Sequence, residues 1–290
     1  MKPELKEQLD TFIKNALLED VGEGDHTSLS TIPEGKTGKA YLLIKEAGII
    51  AGIEVALAVF RIVDPSLAVD IHKKDGDAVQ EGDIVLHVKG NIHSILLAER
   101  LVLNLMQRMS GIATLTQRVV KSISGTGAKV LDTRKTTPCL RFLEKEAVRI
   151  GGGTNHRFGL YDMILIKDNH VDYAGGIKEA LAAAKKYREA IHKDIEIEIE
   201  VRNLEELEEV LDFGAADRIL LDNFDYGTLR EAVKRINHQA IVEASGGITL
   251  ENAHEYAACG VDYISMGALT HSVKSLDMSL KAENLPENSK

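Results

Sequence analysis

Between Leu131 and His170 the chain gathers cations where strands would end: Asp132-Thr-Arg-Lys-Thr-Thr-Pro138, Gly151-Gly-Gly-Thr-Asn-His-Arg157 and Lys167-Asp-Asn-His170. Arg134, Lys135, Arg141, Arg149, His156, Arg157 and Lys167 are spaced by glycines and by the apolar run Met163–Ile166, without the acidic partners of a solvated helix face. Such a group suits a small, multiply anionic ligand, because arginine forks grip carboxylates and lysines offer point charges to phosphate. Lys167 finishes an apolar strand and therefore needs an anion within reach. A histidine in a glycine-rich loop, such as His156, is by itself more often incidental than catalytic. Five or six cations facing two acids exceed what one phosphate requires and suit a dicarboxylate together with a pyrophosphate.

The two acids are Glu200 and Asp222, which stand at the ends of the third and fourth strands of the C-terminal half. They suit a divalent metal shared with a phosphorylated substrate, or the stabilisation of positive charge developing on a sugar carbon. Ion pairs with nearby arginine and lysine are the structural alternative. Glu196, Glu198 and Glu200 share one side of their strand, and a barrel interior cannot leave three carboxylates unpaired. The first two either pair with inward lysines or mark an outward register. Glu243-Ala-Ser-Gly-Gly-Ile248 and Ile264-Ser-Met-Gly-Ala268 end the last two strands, where backbone N–H groups and the following helix could cradle a phosphate. Read blandly, they are two tight turns.

The elements that must position these groups follow from periodicity. Leu5 to Leu18 reads as an amphipathic helix, and Ala40–Ile44, Ala68–Ile71 and Ile84–Val88 as strands, with turns at Asp75-Gly76 and Glu81-Gly82-Asp83. The hairpin from Asp75 to Asp83 looks like a lipoyl-type module but carries no lysine at a convincing tip, so a structural turn is expected. A helix from about Ile92 to Lys121 carries the polar stripe Arg100, Asn104, Gln107, Arg108 and Gly111, either a solvated face or a cation held at an interface. From Ala128 onward, strand, loop and helix repeat about six times: Lys129–Leu131, Met163–Ile166, Ile195–Val201, Arg218–Leu221, Ala240–Glu243 and Tyr263–Ser265 are the strands. Parallel pairing through right-handed crossovers follows. A barrel is preferred to a doubly wound sheet because nearly every strand ends in a chemically useful residue, and a barrel gathers those ends at one mouth.

Composition narrows the partners. Thirty-five Lys and Arg against 45 Asp and Glu give a net charge of −10, which repels a phosphate backbone and argues against nucleic acid. Cys139 and Cys259 are far apart and lack a Cys-x-x-Cys partner, which speaks against a disulfide framework or zinc site. The N-terminal residues lack a signal-peptide layout, and charges and glycines interrupt the apolar stretch Ala47–Val63, so no membrane association and a cytoplasmic location are expected.

Taken together, the motifs resemble the quinolinate phosphoribosyltransferase family. The resemblance rests on Glu19-Asp-Val-Gly-Glu-Gly-Asp25, Ala98-Glu-Arg-Leu101 with Asn104 and Ser110-Gly-Ile112, the Asp132–Pro138, Gly152–Arg157 and Lys167–His170 runs, Leu221-Asp-Asn-Phe224, and the two terminal glycine runs. His26 departs from the aliphatic residue expected in Gly-Asp-x-Thr. The resemblance implies an N-terminal α/β sandwich, residues 1–112 joined by the tail 271–290, and an incomplete α/β barrel of six to seven strands, residues 113–270. It also implies transfer of a phosphoribosyl group from phosphoribosyl pyrophosphate to quinolinate, with decarboxylation, Mg²⁺ and no organic cofactor. Arg134, His156, Arg157 and Lys167 would hold quinolinate, joined by Arg100 from the partner of a homodimer, with higher oligomers open. Lys135 and Lys167 would border the pyrophosphate, and Ser245, Gly246, Gly247 and Gly267 would receive the 5′-phosphate. Glu200 and Asp222 would bind ribose and reach the metal largely through substrate. With Lys135 and Lys167 they form the expected catalytic set.

Overall fold

The computed structural model describes residues 3–283 and divides them into two compact units. The first contains the residues through Thr114, Phe142–Gly151 and those from Val273 onward; the second contains Leu115–Arg141 and Gly152–Ser272.

In the first unit an antiparallel sheet runs in the order Met278–Glu283, Thr37–Ile44, Ile84–Asn91, Ala68–Ile71. The Thr37–Ile44 strand alternates as a half-buried strand should, with Ala40, Leu42 and Ile44 turned inward. A late segment, Met278–Glu283, supplies an edge strand that pairs with that strand from Lys39 to Ile44. The expected tail continues through 284–290, which lie outside the described residues. The Asp75–Asp83 segment does not form a hairpin of its own: Ala78–Val79 pairs with Gly48–Ile49 in a separate two-stranded sheet. Turns do fall at Asp75-Gly76 and Glu81-Gly82, but each of the paired strands has two residues, too few to show a period.

The 31-residue helix Ile92–Ser122 starts where the Ile84–Asn91 strand ends. Its polar stripe is mostly packed. Gln107 Nε2 donates to the Met278 carbonyl at 2.9 Å, Arg108 Nε donates to buried Glu144 at 2.7 Å, and a Cβ on Gly111 would lie 2.2 Å from the Lys274 carbonyl oxygen. Helix Arg141–Ile150 contributes Glu144, and Phe142, which meets Phe12 edge-on at 6.1 Å; such a pair adds about 0.5–1.5 kcal/mol beyond its area.

The second unit holds six parallel strands: Lys129–Leu131, Ile164–Ile166, Ile197–Val201, Arg218–Asp222, Ile241–Ser245 and Tyr263–Ser265, here the first to sixth barrel strands. Their spatial order is first, sixth, fifth, fourth, third, second. The first and second strands are edges within that sheet, so the barrel is incomplete, as expected. Helices Ile177–Ile191, Leu204–Phe213 and Tyr226–Ile236 make crossovers, their ends set by local chemistry. Asn203 caps Glu206 N–H at 2.8 Å, Asp225 caps Gly227 N–H at 2.8 Å, and Gly214 closes its helix at φ +67°. Parallel strands bring every C-terminal end to the same side, which is where the sequence puts its charges.

Candidate active site

A cavity of about 790 Å³ opens within the second unit at these strand ends. Arg134, Lys135, His156, Arg157 and Lys167 line it from the early loops, facing Glu200 and Asp222. Ser245, Gly246, Gly247 and Gly267 line it from the late loops. Arg100 lies on the long helix, exposed, and is not among its lining residues.

The cationic side is built by the first strand and two loops. Asp132, fully buried, accepts the His156 N–H at 2.9 Å and an Asn155 side-chain N–H at 2.6 Å, which fixes the glycine loop beside the Thr133–Pro138 loop. Arg134 Nε is buried without a hydrogen-bond partner. Burial, with the neighbouring Arg134 charge, pushes the Arg157 guanidinium below its ordinary pKa, although Glu198 and Asp162 oppose this. Two guanidiniums placed to repel one another, one with an unfilled donor, constitute a demand for an anion.

Two cations of the original group do not serve the cavity. Arg141 is spent on the loop itself, donating to Thr136 Oγ1 at 3.0 Å and to the carbonyls of Phe158 and Arg134 at 3.0 and 3.4 Å. Arg149 belongs to the first unit and pairs with Glu146, one helical turn away, at 2.5 Å. Arg149 does have the acidic neighbour of a solvated helix face, because the residues from Arg141 to Ile150 form a helix.

The three alternating glutamates, Glu196 just before the third strand and Glu198 and Glu200 within it, resolve into three environments. Glu196 is 43 % exposed and meets Arg218 at 2.6 Å; Glu198 is fully buried, 2.9 Å from His156 Nε2; Glu200 is 11 % exposed and 3.5 Å from Lys167 Nζ. Of the two alternatives for Glu196 and Glu198, inward lysines or an outward register, neither describes buried Glu198: Glu196 pairs with Arg218 and Glu198 with His156. Burial raises the Glu200 carboxyl pKa; Lys167 works against that and Asp222 with it. Glu200 and Asp222 both line the cavity, and their carboxylates are hard oxygen donors of the kind Mg²⁺ takes.

The late loops owe their shape to glycine. Gly246, at φ +96°, sits against Asn223, whose own backbone is left-handed at φ +57°, whereas the space around Gly247, at φ +61°, is open. A Cβ on Gly267 would lie 2.9 Å from Lys135 Cδ and 3.0 Å from His271 Cδ2, so glycine allows the first and last loops to meet. Thr270 Oγ1 ties them by donating to the Lys135 carbonyl at 2.8 Å. The helix after Gly267, Ala268–His271, follows directly, but the one after Gly247 begins only at Ala253 and spans five residues. At the fifth strand the glycine backbone, not an adjoining helix end, is therefore what faces the cavity.

Sequence reasoning missed Glu243, Asn223, Thr133 and His271 as lining residues. Asn223 was signalled by following Asp222 in a turn where asparagine tolerates left-handed backbone. Glu243 had no such signal, since one acid in an apolar strand reads the same whichever way it points.

An open parallel barrel with arginines and lysines on one side of its mouth, carboxylates between, and glycine loops opposite defines an anion-handling enzyme scaffold of the phosphosugar type. The chain belongs to the quinolinate phosphoribosyl transferase family. The family model of its N-terminal domain matches residues 25–110 and that of its C-terminal domain residues 112–281. A chloroplastic nicotinate-nucleotide pyrophosphorylase [carboxylating] of Arabidopsis thaliana is 48% identical over 290 residues, covering 95% of this chain and 83% of that protein. A probable nicotinate-nucleotide pyrophosphorylase [carboxylating] of Bacillus subtilis is 46% identical, covering 94% and 93%. Among solved structures, NadC from Streptococcus pyogenes superposes with a TM-score of 0.90 at 38% identity, covering 98% of this chain and 99% of its own. No described helix is long and apolar enough to cross a membrane.

Proposed function

We infer that this chain transfers the phosphoribosyl group of phosphoribosyl pyrophosphate to quinolinate and decarboxylates the product, giving nicotinate mononucleotide, pyrophosphate and CO2 for NAD biosynthesis. The observation that carries the reading is the pairing of Arg134 and Arg157, close enough to repel and with Arg134 Nε unfilled, opposite two carboxylates in one cavity. Arg134, Arg157 and Lys167 grip the two carboxylates of quinolinate, His156 borders them, and Arg100 of a partner subunit completes the set. Lys135 and Lys167 neutralise the pyrophosphate as it leaves. Ser245, Gly246, Gly247 and Gly267 hold the 5′-phosphate through backbone N–H groups.

The ring nitrogen of quinolinate attacks the sugar carbon as pyrophosphate departs, and Glu200 and Asp222 stabilise the positive charge that develops there. Neither needs to form a covalent bond. The protein's work is positioning and electrostatics, and the pyridinium so formed draws electrons from the adjacent carboxylate. Glu200 and Asp222 would hold Mg²⁺, largely through the substrate, and the ion would supply charge to balance the pyrophosphate. The homodimer and a cytoplasmic location belong to the same proposal.

Incubating the purified protein with quinolinate, phosphoribosyl pyrophosphate and Mg²⁺ tests it: nicotinate mononucleotide and CO2 should form in equal amounts. Product only with nicotinate, or none above background, sinks the reading.

A further inference from the structure

One guanidinium in the second unit joins two loops that serve the cavity. Arg141 Nε donates to Thr136 Oγ1 at 3.0 Å, Nη1 to the Phe158 carbonyl at 3.0 Å and Nη2 to the Arg134 carbonyl at 3.4 Å. Every nitrogen of the fork is engaged, and each acceptor is neutral. Arg134 and Thr136 belong to the loop after the first barrel strand, whereas Phe158 follows the glycine loop.

On each loop Arg141 bonds the main chain beside a cavity guanidinium. In the first the carbonyl is that of Arg134 itself, which also accepts the Thr136 N–H at 2.9 Å. In the second it belongs to Phe158, the residue after Arg157. Asp162 secures the same turn, accepting the Phe158 N–H at 2.6 Å and the Gly159 N–H at 2.9 Å. The main chain just beyond Arg157 is therefore tied at both its N–H and its C=O.

Arg134 and Arg157 line the cavity together, and their like charges oppose one another. Such a pair moves apart unless something holds its backbone. An arginine suits that task because its donors are fixed in one planar fork, whereas a lysine offers a single nitrogen on a flexible stem. The gap matters to the ligand. Quinolinate carries its two carboxylates on adjacent ring carbons, so both are met only by cations held close together; nicotinate, with one carboxylate, offsets only one of them.

We propose that Arg141 is a positioning residue: by clasping the Arg134 and Phe158 carbonyls it sets the gap between the guanidiniums of Arg134 and Arg157, and so makes the site prefer a dicarboxylate to a monocarboxylate. Arg141 does not itself line the cavity. The assignment rests on the quinolinate reading above.

The test is steady-state kinetics of the full-length enzyme with quinolinate, phosphoribosyl pyrophosphate and Mg²⁺, with nicotinate as competitor. Arg141→Lys keeps the charge and loses the fork. It should raise the quinolinate KM about 10-fold, leave that for phosphoribosyl pyrophosphate within about 2-fold, and cut the preference for quinolinate over nicotinate by about 10-fold. A brace needed only for folding would move both KM values together and leave the preference unchanged; that result overturns the assignment, as does a lysine variant with the wild-type quinolinate KM. If Arg141→Lys does not fold, Thr136 provides a second pair of variants. Thr136→Val removes the hydroxyl that takes the Arg141 Nε bond and should raise the quinolinate KM, whereas Thr136→Ser keeps a hydroxyl and should retain the wild-type value. Equal quinolinate KM values in these two variants overturn the assignment. Wild-type enzyme yielding no mononucleotide overturns the underlying reading instead, so the two failures are distinct.

Discussion

Replacing Gly246 and Gly247 by alanine, one at a time, separates two reasons for glycine in the late loop. A Cβ on Gly246 would lie 2.2 Å from Asn223 Oδ1, 2.5 Å from its Cγ and 2.9 Å from its backbone nitrogen; a Cβ on Gly247 would meet nothing within 4 Å. Both positions have positive φ, +96° and +61°, and holding an L-residue there costs roughly 1–2 kcal/mol. For Gly247→Ala that is the whole cost. Gly246→Ala must in addition displace Asn223, and overpacking of this kind adds about 1–3 kcal/mol, for a total of about 2–5 kcal/mol. Asn223 cannot yield freely, since its N–H donates to the Ser245 carbonyl at 2.9 Å and its amide to Asp222 Oδ2 at 2.6 Å. Urea unfolding of each variant reads the stability difference, and steady-state kinetics read the site. Gly246→Ala should be the less stable and should lose kcat through Asp222. Gly247→Ala should fold nearly normally yet raise the KM for phosphoribosyl pyrophosphate, because its methyl group enters the space assigned to the 5′-phosphate. Equal stability of the two variants would refute the packing argument, and an unchanged KM in Gly247→Ala would remove this loop from the phosphate site.

Other outcomes follow from the same geometry. Glu200→Ala and Asp222→Ala should each reduce turnover far more than quinolinate binding measured by calorimetry; parallel losses would point to a binding protein that uses the same mouth. Arg100→Ala mixed with Lys167→Ala under conditions that exchange subunits should recover part of the activity, and no recovery counts against a site shared across a dimer. Stability should fall as pH rises from about 6.5 to about 9: His156 is raised in the fold from 6.5 to about 9, so its contribution is complete below the lower value and lost through the upper one. Denaturant titrations across that range should show the slope in the wild type and a shallower one in His156→Asn.

Much of the cavity was legible because its residues combine unusual chemistry with strand-end positions. Arg134, Lys167, Glu200 and Asp222 each stand at or just beyond the end of a strand, and parallel strands leave one place for such residues to gather. What the sequence hid depends on contacts between distant segments. Arg141 resembles a ligand-binding arginine until the carbonyls of Phe158 and Arg134 are seen to occupy it. Gly111 looks like a weak point in a helix until the Lys274 carbonyl is found against it. The strands Gly48–Ile49 and Ala78–Val79 have two residues each, too few for any periodicity to register.

The third barrel strand shows how one repeat, acid at every second residue, yields three functions through position alone. Glu196 precedes the strand, remains 43 % exposed and pairs with Arg218, an arrangement that solvent makes weak and replaceable. Two residues on, Glu198 has no solvent, so its charge must be met by a proton or a cation, and His156 is within 2.9 Å. Two further, Glu200 reaches the mouth, where Lys167 at 3.5 Å is a loose partner that a substrate can replace. The spacing fixes the side of the strand; depth decides whether the carboxylate is a surface charge, a buried partner of His156 or a group that lines the cavity. Substitution by glutamine should therefore grade by depth and not by residue type, with Glu196→Gln nearly silent in both stability and turnover.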